Sequence, residues 1–102
     1  MNTPFSSKVY DILRTIPRGK VATYGQMAKL AESPGAARAI GMIMKENTDA
    51  PRTPCHRVVA SDGTMHGYSG KDGVVGKKRM LLEEGVTFNG DKVDLSVSQW
   101  KP

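Results

Sequence analysis

Apolar residues recur through "TPFSSKVYDILRTIPRGK" at Phe5, Val9, Ile12, Leu13 and Ile16. Steps of three and four residues lay one apolar stripe along a helix. Thr3 reads as its N-cap, Pro4 as its first residue, and Pro17 with Gly19 as its stop. After an extended "KVA", Thr23 and Gln26 have the spacing of a capping box, which predicts a second helix through Leu30. "ESPG" breaks the chain, and Ser33 with Pro34 restarts it as a third helix, "GAARAIGMIMKEN". On that helix Ala36, Ile40, Ile43 and Met44 share one side, while Arg38, Gly41, Met42 and Lys45 share the other. Two short helices about a tight Ser-Pro-Gly turn predict a helix-turn-helix, with the later helix as its recognition element.

Beyond it, Pro51 and Pro54 mark a loop that enters a short apolar strand, "RVVA". The glycine-rich stretch Ser61 to Gly76 predicts a long shaped loop without regular structure, and loops of that length are functional or disordered. "KKRMLLEEG" predicts a last helix capped by Gly85, and "VTFNGDKVDL" a hairpin turning at Asn89-Gly90. The fold expected is mostly α with a small β hairpin, in a single domain over residues 1–102.

Composition adds two constraints. Fifteen Lys and Arg against ten Asp and Glu give a net charge of +5, which favours polyanionic partners such as nucleic acid or serves solubility alone. A single cysteine cannot form an internal disulfide, and neither a membrane-length apolar run nor a charged-then-apolar leader is visible. A reducing cytoplasm is the expected location, with no membrane partner.

The candidate chemistry centres on that cysteine, Cys55 in "TPCHRVV". One cysteine and two histidines, His56 and His66, are too sparse for a structural zinc site, so no metal is expected. A phosphatase-type Cys-x5-Arg would need arginine where Ser61 stands. "GYSGKDG" matches neither a phosphate loop nor a dinucleotide fingerprint, so no cofactor is expected, and a redox relay lacks its second cysteine. Nucleophilic thiol chemistry remains. It needs a base, because at a free pKa near 8.5 only about 3% of a thiol is ionised at pH 7. His56 is the nearest base, but neighbours in an extended segment point to opposite faces, so contact requires a kink at Pro54 or a bridging water. Glu83 and Glu84 in "LLEEG" are candidate partners for the imidazole; as helix C-terminal acids they are misplaced against the dipole. A buried inert thiol and two solvated glutamates are the competing reading.

The motifs "TYGQMAKLA", "GAARAIG", "PCHRVVASDG", "GYSG" and "LLEEG" occur in an order and spacing that resembles the DNA-binding and active-site domain of the methylated-DNA--protein-cysteine methyltransferases. The resemblance covers nearly the whole chain and implies a winged helix-turn-helix-like alkyltransferase domain. It implies a protein that binds the minor groove of double-stranded DNA containing alkylated guanine, flips the lesion, and moves the alkyl group irreversibly onto cysteine. Such a protein acts as a cytoplasmic monomer, without cofactor, beside other DNA repair proteins. It makes Cys55 the acceptor, His56 its base through water, and Glu84 the group that holds His56, with Tyr24 pressing a phosphate aside and helping to protonate the leaving guanine. Arg38 fills the gap left by the flipped base, and Gly41 and Lys45 share its DNA-facing side. Asn47 ties the recognition helix to the active-site loop, Arg57 and Val58 support the pocket, and Tyr68 and Ser69 line it.

Some features differ from those enzymes: "YSGK" stands where two glycines are usual, and about two extra residues separate Tyr68 from Glu84. The compact length, "EEGVTF" and the terminal "SQWKP" resemble instead the alkyltransferase-like proteins, which bind alkylated DNA without accepting the group and typically carry tryptophan in place of this cysteine. A lesion sensor without chemistry is therefore the alternative expectation, and a winged-helix transcription regulator a third.

Overall fold

The computed structural model describes residues 4–46, 53–65 and 73–102. Its first helix, α1 (Pro4–Thr15), buries Val9 and Leu13, with Ile16 buried just beyond its end. The chain then forms β1 (Ala22–Thr23), α2 (Tyr24–Leu30) and α3 (Ala37–Lys45). A single 3-10 turn, Cys55–Arg57, leads into β2 (Val58–Val59). The remainder is α4 (Gly73–Glu83), a hairpin of β3 (Phe88–Asn89) and β4 (Lys92–Val93), and the short α5 (Leu95–Ser98). The protein is therefore mostly α with a small β hairpin. No helix among the described residues is long and apolar enough to cross a membrane.

The capping box forms in full: Thr23 Oγ1 accepts from Gln26 N at 3.1 Å, and Gln26 Oε1 accepts from Thr23 N at 3.3 Å. The start of α3 differs from the sequence expectation. Ser33 closes α2 instead of opening α3, its N–H reaching Ala28 O while Glu32 N reaches Lys29 O. That paired 6→1 and 5→2 bonding is a Schellman ending, with Glu32 in the left-handed position at φ 62°. The third helix consequently begins at Ala37, behind Ala36, with no side-chain cap. Ile40 and Met44 are buried, Ala36 and Ile43 half-buried, and Arg38, Met42 and Lys45 exposed, as the two-faced pattern requires.

Three further expectations are corrected. Residues 55–57 coil into a 3-10 turn and are not extended, so the chain bends at the candidate nucleophile itself. Gly73 to Gly76, assigned to the loop, form the first turn of α4, which opens at Gly73 with a left-handed φ of 56° that glycine adopts without strain. In the hairpin Asn89 pairs with Lys92, so the two turn residues are Gly90 and Asp91, with Gly90 at φ 67° in the first central position. Thr3, Asn47, Tyr68 and Ser69 lie outside the described residues.

One pairing positions everything that follows. Strands β1 and β2 run parallel, with Ala22 opposite Val58 and Thr23 opposite Val59. Tyr24 directly follows β1 and Arg57 directly precedes β2, so in this parallel register the two leave opposite ends of the pair, and Tyr24 packs against the same core cluster as Cys55. The C-terminal tail closes the other edge: Val21 N donates to Ser98 O and Trp100 N to Val21 O. Cys55 and Val58 share a core with Val9, Leu13, Met27, Ile40 and Met44, while Val21, Val59, Leu81, Val86 and Val93 form a second cluster.

Candidate functional site

Cys55 is a free, buried thiol, 3% exposed, so the core reading of the residue is correct as to location. The decisive fact is what surrounds it. His56, also buried, directs Nε2 to Glu84 Oε2 at 3.0 Å. Arg57 grips the same carboxylate with two bonds, Nε to Oε1 at 2.9 Å and Nη2 to Oε2 at 2.8 Å, and its Nη1 donates to Ile16 O at 2.8 Å. Of the two candidate acids, Glu84 faces inward with a side chain 10% exposed, whereas Glu83 is exposed and offers its carbonyl to Arg18. The last turn of α4 holds Glu84 in place through its backbone N–H to Met80 O and Leu81 O.

This geometry assigns the imidazole's proton. A carboxylate at Nε2 requires N–H there, which leaves Nδ1 as the acceptor end of the ring. Burial is the largest influence on His56 and lowers its pKa; the Glu84 bond opposes it, and the Arg57 and Lys77 charges add to the lowering. The ring is thus held neutral near pH 7 and able to take a proton. For Glu84, burial alone would raise the pKa, but the bonds from Arg57 and His56 together prevail and hold it below the usual carboxylate range.

Tyr24, half-buried at the start of α2, has its phenol raised by burial first and then by the nearby Cys55 charge. It remains a proton donor across neutral pH. The Tyr10 phenol on α1 is raised by burial first and then by Glu46 and Cys55, and its hydroxyl donates to Ile43 O at 3.1 Å, while Arg14 Nε reaches Thr53 Oγ1 at 3.2 Å. The first helix therefore ties both α3 and the segment ahead of Cys55 to the core.

The structure thus brings together Cys55, His56, Arg57, Glu84 and Tyr24 around the β1–β2 pair. Arg57 acts as the clamp on Glu84, and Val58 lies in the buried strand beyond the turn. Arg38, Gly41 and Lys45 stand apart on α3, where Gly41 has open space at its missing side chain. Among the described residues neither Arg38 nor Lys45 enters an ion pair. Sequence reasoning missed Lys77, which is 1% exposed and donates from Nζ to Val58 O at 2.7 Å. The available signal was its spacing from Leu81 and Glu84, at i+4 and i+7 on one helix face. Among the described residues no group of three or more His, Cys, Asp and Glu could hold a metal ion.

A helix pair with an unpaired basic face is suited to lie on a polyanion, and here the pair closes over an organised thiol and not over aliphatic packing alone. The class is a helix-turn-helix domain with a cysteine-histidine-glutamate site beneath it. The chain belongs to the 6-O-methylguanine DNA methyltransferase family, whose DNA binding domain profile matches residues 4–86. It is 48% identical over 83 residues to the methylated-DNA--protein-cysteine methyltransferase of Shigella flexneri, covering 81% of this chain and 47% of that protein. The chain therefore spans about half the length of that curated relative. The DNA base-flipping protein of Escherichia coli K12 is 40% identical over 97 residues, 94% of this chain and 74% of that protein. Among solved structures, S. pombe Atl1 in complex with damaged DNA containing O6-carboxymethylguanine superposes with a TM-score of 0.83 at 36% identity, covering 100% of both chains.

Proposed function

We propose that this protein binds double-stranded DNA, turns O6-alkylated guanine out of the stack and transfers the alkyl group to Cys55 in a single turnover. The observation that carries the reading is the buried Cys55 beside a neutral His56 that Glu84 orients. In the reaction, the thiol proton passes to His56 Nδ1, through water as the resemblance implies, and the thiolate attacks the alkyl carbon. A sulfur–carbon bond forms as the carbon–O6 bond breaks, and the bond pair leaves on the guanine oxygen. Tyr24 protonates the departing guanine, and a stable thioether remains. The reaction as written needs no cofactor or metal. Arg38 fills the space of the flipped base, Gly41 lets α3 approach the groove, and Lys45 meets backbone phosphate. Unpairing costs a few kcal/mol, least for a weakly paired lesion, which supplies part of the selectivity. In this reading Asn47 ties the recognition helix to the active-site loop, Tyr68 and Ser69 line the base pocket, and Arg57 and Val58 support it. The domain acts as a cytoplasmic monomer, with other repair proteins as further partners.

A second reading is favoured by one observation: the likeness to S. pombe Atl1 extends over the whole of both chains. Under it, the protein senses the lesion without chemistry. The test is peptide mass spectrometry after incubation with a duplex containing O6-methylguanine. Transfer adds one methyl mass to the Cys55 peptide; an unmodified peptide with lesion binding intact rejects transfer and leaves the sensor.

A further inference from the structure

Tyr10 and Arg14 lie one turn apart on α1, and each sends a polar group to a different part of the site. The Tyr10 hydroxyl donates to Ile43 O at 3.1 Å, in the last turn of α3, where helix carbonyls have acceptor capacity to spare. Arg14 Nε donates to Thr53 Oγ1 at 3.2 Å, and the Thr53 carbonyl accepts from Cys55 N at 2.9 Å. Thr53 is fully buried, so Arg14 ends at a fixed hydroxyl two residues ahead of the thiol. The Arg14 guanidinium also lies over the Tyr10 ring, 6.0 Å from its centroid, so the two contacts brace one another.

These polar groups are not needed to seat the helix. The apolar stripe of α1, Val9 and Leu13 with Ile16 beyond, already anchors it in the core. What the hydroxyl and guanidinium add is direction: they fix the end of α3 and the acceptor turn to one helix, at points separated along the chain by residues 44–52. Alkyl transfer from DNA makes that separation matter. The recognition helix sets where the duplex lies and hence where a flipped base arrives, while the turn sets where the sulfur waits. Reacting atoms must come to about 3–3.5 Å, and a misplacement of about 1 Å can cost up to about 100-fold in rate.

Resting on the transfer reading above, we infer that Tyr10 and Arg14 form a spacer that sets the distance between the DNA-bound recognition helix and the Cys55 sulfur. They are positioning residues that act through Ile43 and Thr53, and neither takes part in making or breaking a bond. The spacer matters when α3 delivers the alkyl carbon, and not when the carbon reaches the thiol by another route.

Two substrates separate this role from simple support of the thiol. A saturating O6-methylguanine duplex presents the alkyl carbon through α3, whereas free O6-benzylguanine, whose benzylic carbon thiolates attack readily, reaches the site without it. Neither Tyr10 nor Arg14 is fully buried, so Tyr10→Phe and Arg14→Met leave the core intact. In each variant the single-turnover rate from duplex should fall about tenfold at unchanged duplex affinity, while the rate with the free base stays within about twofold. Equal slowing with both substrates, or with neither, overturns the inference. Amide hydrogen exchange gives a readout that needs no alkyl transfer. Tyr10→Phe, altered at the α3 end, should weaken protection of the Cys55 amide, which bonds to Thr53 O. Arg14→Met, altered at the Thr53 end, should weaken protection of the Glu46 amide, which closes α3. Losses confined to the altered end would mean that the two ends are held independently, and would overturn the spacer. A protein that transfers from neither substrate yet shows the crossed losses would lose the functional reading and keep the spacer.

Discussion

Glu84 is the residue on which the site's order converges, because a single carboxylate answers both His56 and Arg57. Glu84→Gln keeps the shape, removes the charge and leaves the Arg57 cation half-buried without its anion. Breaking a buried pair on one side costs about 3 kcal/mol, so chemical denaturation should show a loss of that order. The rate of alkyl transfer should fall at least tenfold, since the imidazole loses the partner that fixes its tautomer. Acidity should separate the two groups. His56 has a folded pKa below its unfolded value near 6.5, so the unfolded chain binds the proton more readily and stability declines as pH drops through that value. Glu84 is also lowered, so its contribution is present above its unfolded value near 4.5 and is lost as pH falls through the lower folded one. Thermal melts from pH 8 to 3 should therefore show two declines, with His56→Gln reducing the upper and Glu84→Gln the lower, which Asp62 and Asp91 share. A single decline unaffected by either change would contradict the assignment.

At the scale of elements, α2 is held at its N-terminus by more than its own capping box. Gln26 Nε2 donates to Trp100 O at 2.7 Å, and Gln99 Nε2 donates to Gln26 Oε1 at 2.9 Å. The residue that caps the helix thus also binds the C-terminal tail, two residues after Tyr24. Gln26→Ala should cost about 1–2 kcal/mol, more than a local cap, because tail bonds are lost with it. In hydrogen exchange the Trp100 amide, bonded to Val21 O, should lose protection along with the first turn of α2. Retained protection at Trp100 would mean that the tail is held independently. The capping box could be read from the sequence because its two partners lie three residues apart. The Schellman ending at Glu32 could not, since a glutamate gives no sign of a left-handed backbone. The β1–β2 pair was equally hidden: two-residue strands carry no periodicity, and their register depends on partners distant in the chain. Tyr24 and Cys55 meet in one core from opposite ends of that pair, so the members of the site were legible from motif and family resemblance, while their juxtaposition was not. Lys77 escaped notice because a lysine among "GKKR" looks solvated until the helix face it occupies is known.

For the molecule as a whole, the net charge of +5 and the exposed Arg38 and Lys45 on α3 lead to a distinction between two kinds of basic residue. A residue that neutralises phosphate releases a counterion, so each such contact adds about 0.9 to the slope of log affinity against log salt. A residue that enters the stack in place of a flipped base contributes little to that slope but much to the preference for a lesion, because its reward depends on how easily the base leaves. Lys45, at the C-terminal end of α3, belongs to the first kind in the proposed complex, and Arg38, in its first turn, to the second. Fluorescence anisotropy with plain and O6-methylguanine duplexes over a range of salt should resolve them. Lys45→Ala should reduce the slope by about one on both duplexes and leave their affinity ratio unchanged. Arg38→Ala should bring the two affinities together while the slope stays nearly the same. If both variants lowered the slope alike and preserved the ratio, Arg38 would be another phosphate contact, and lesion preference would have to arise beneath α3, at the thiol and its surrounding turn.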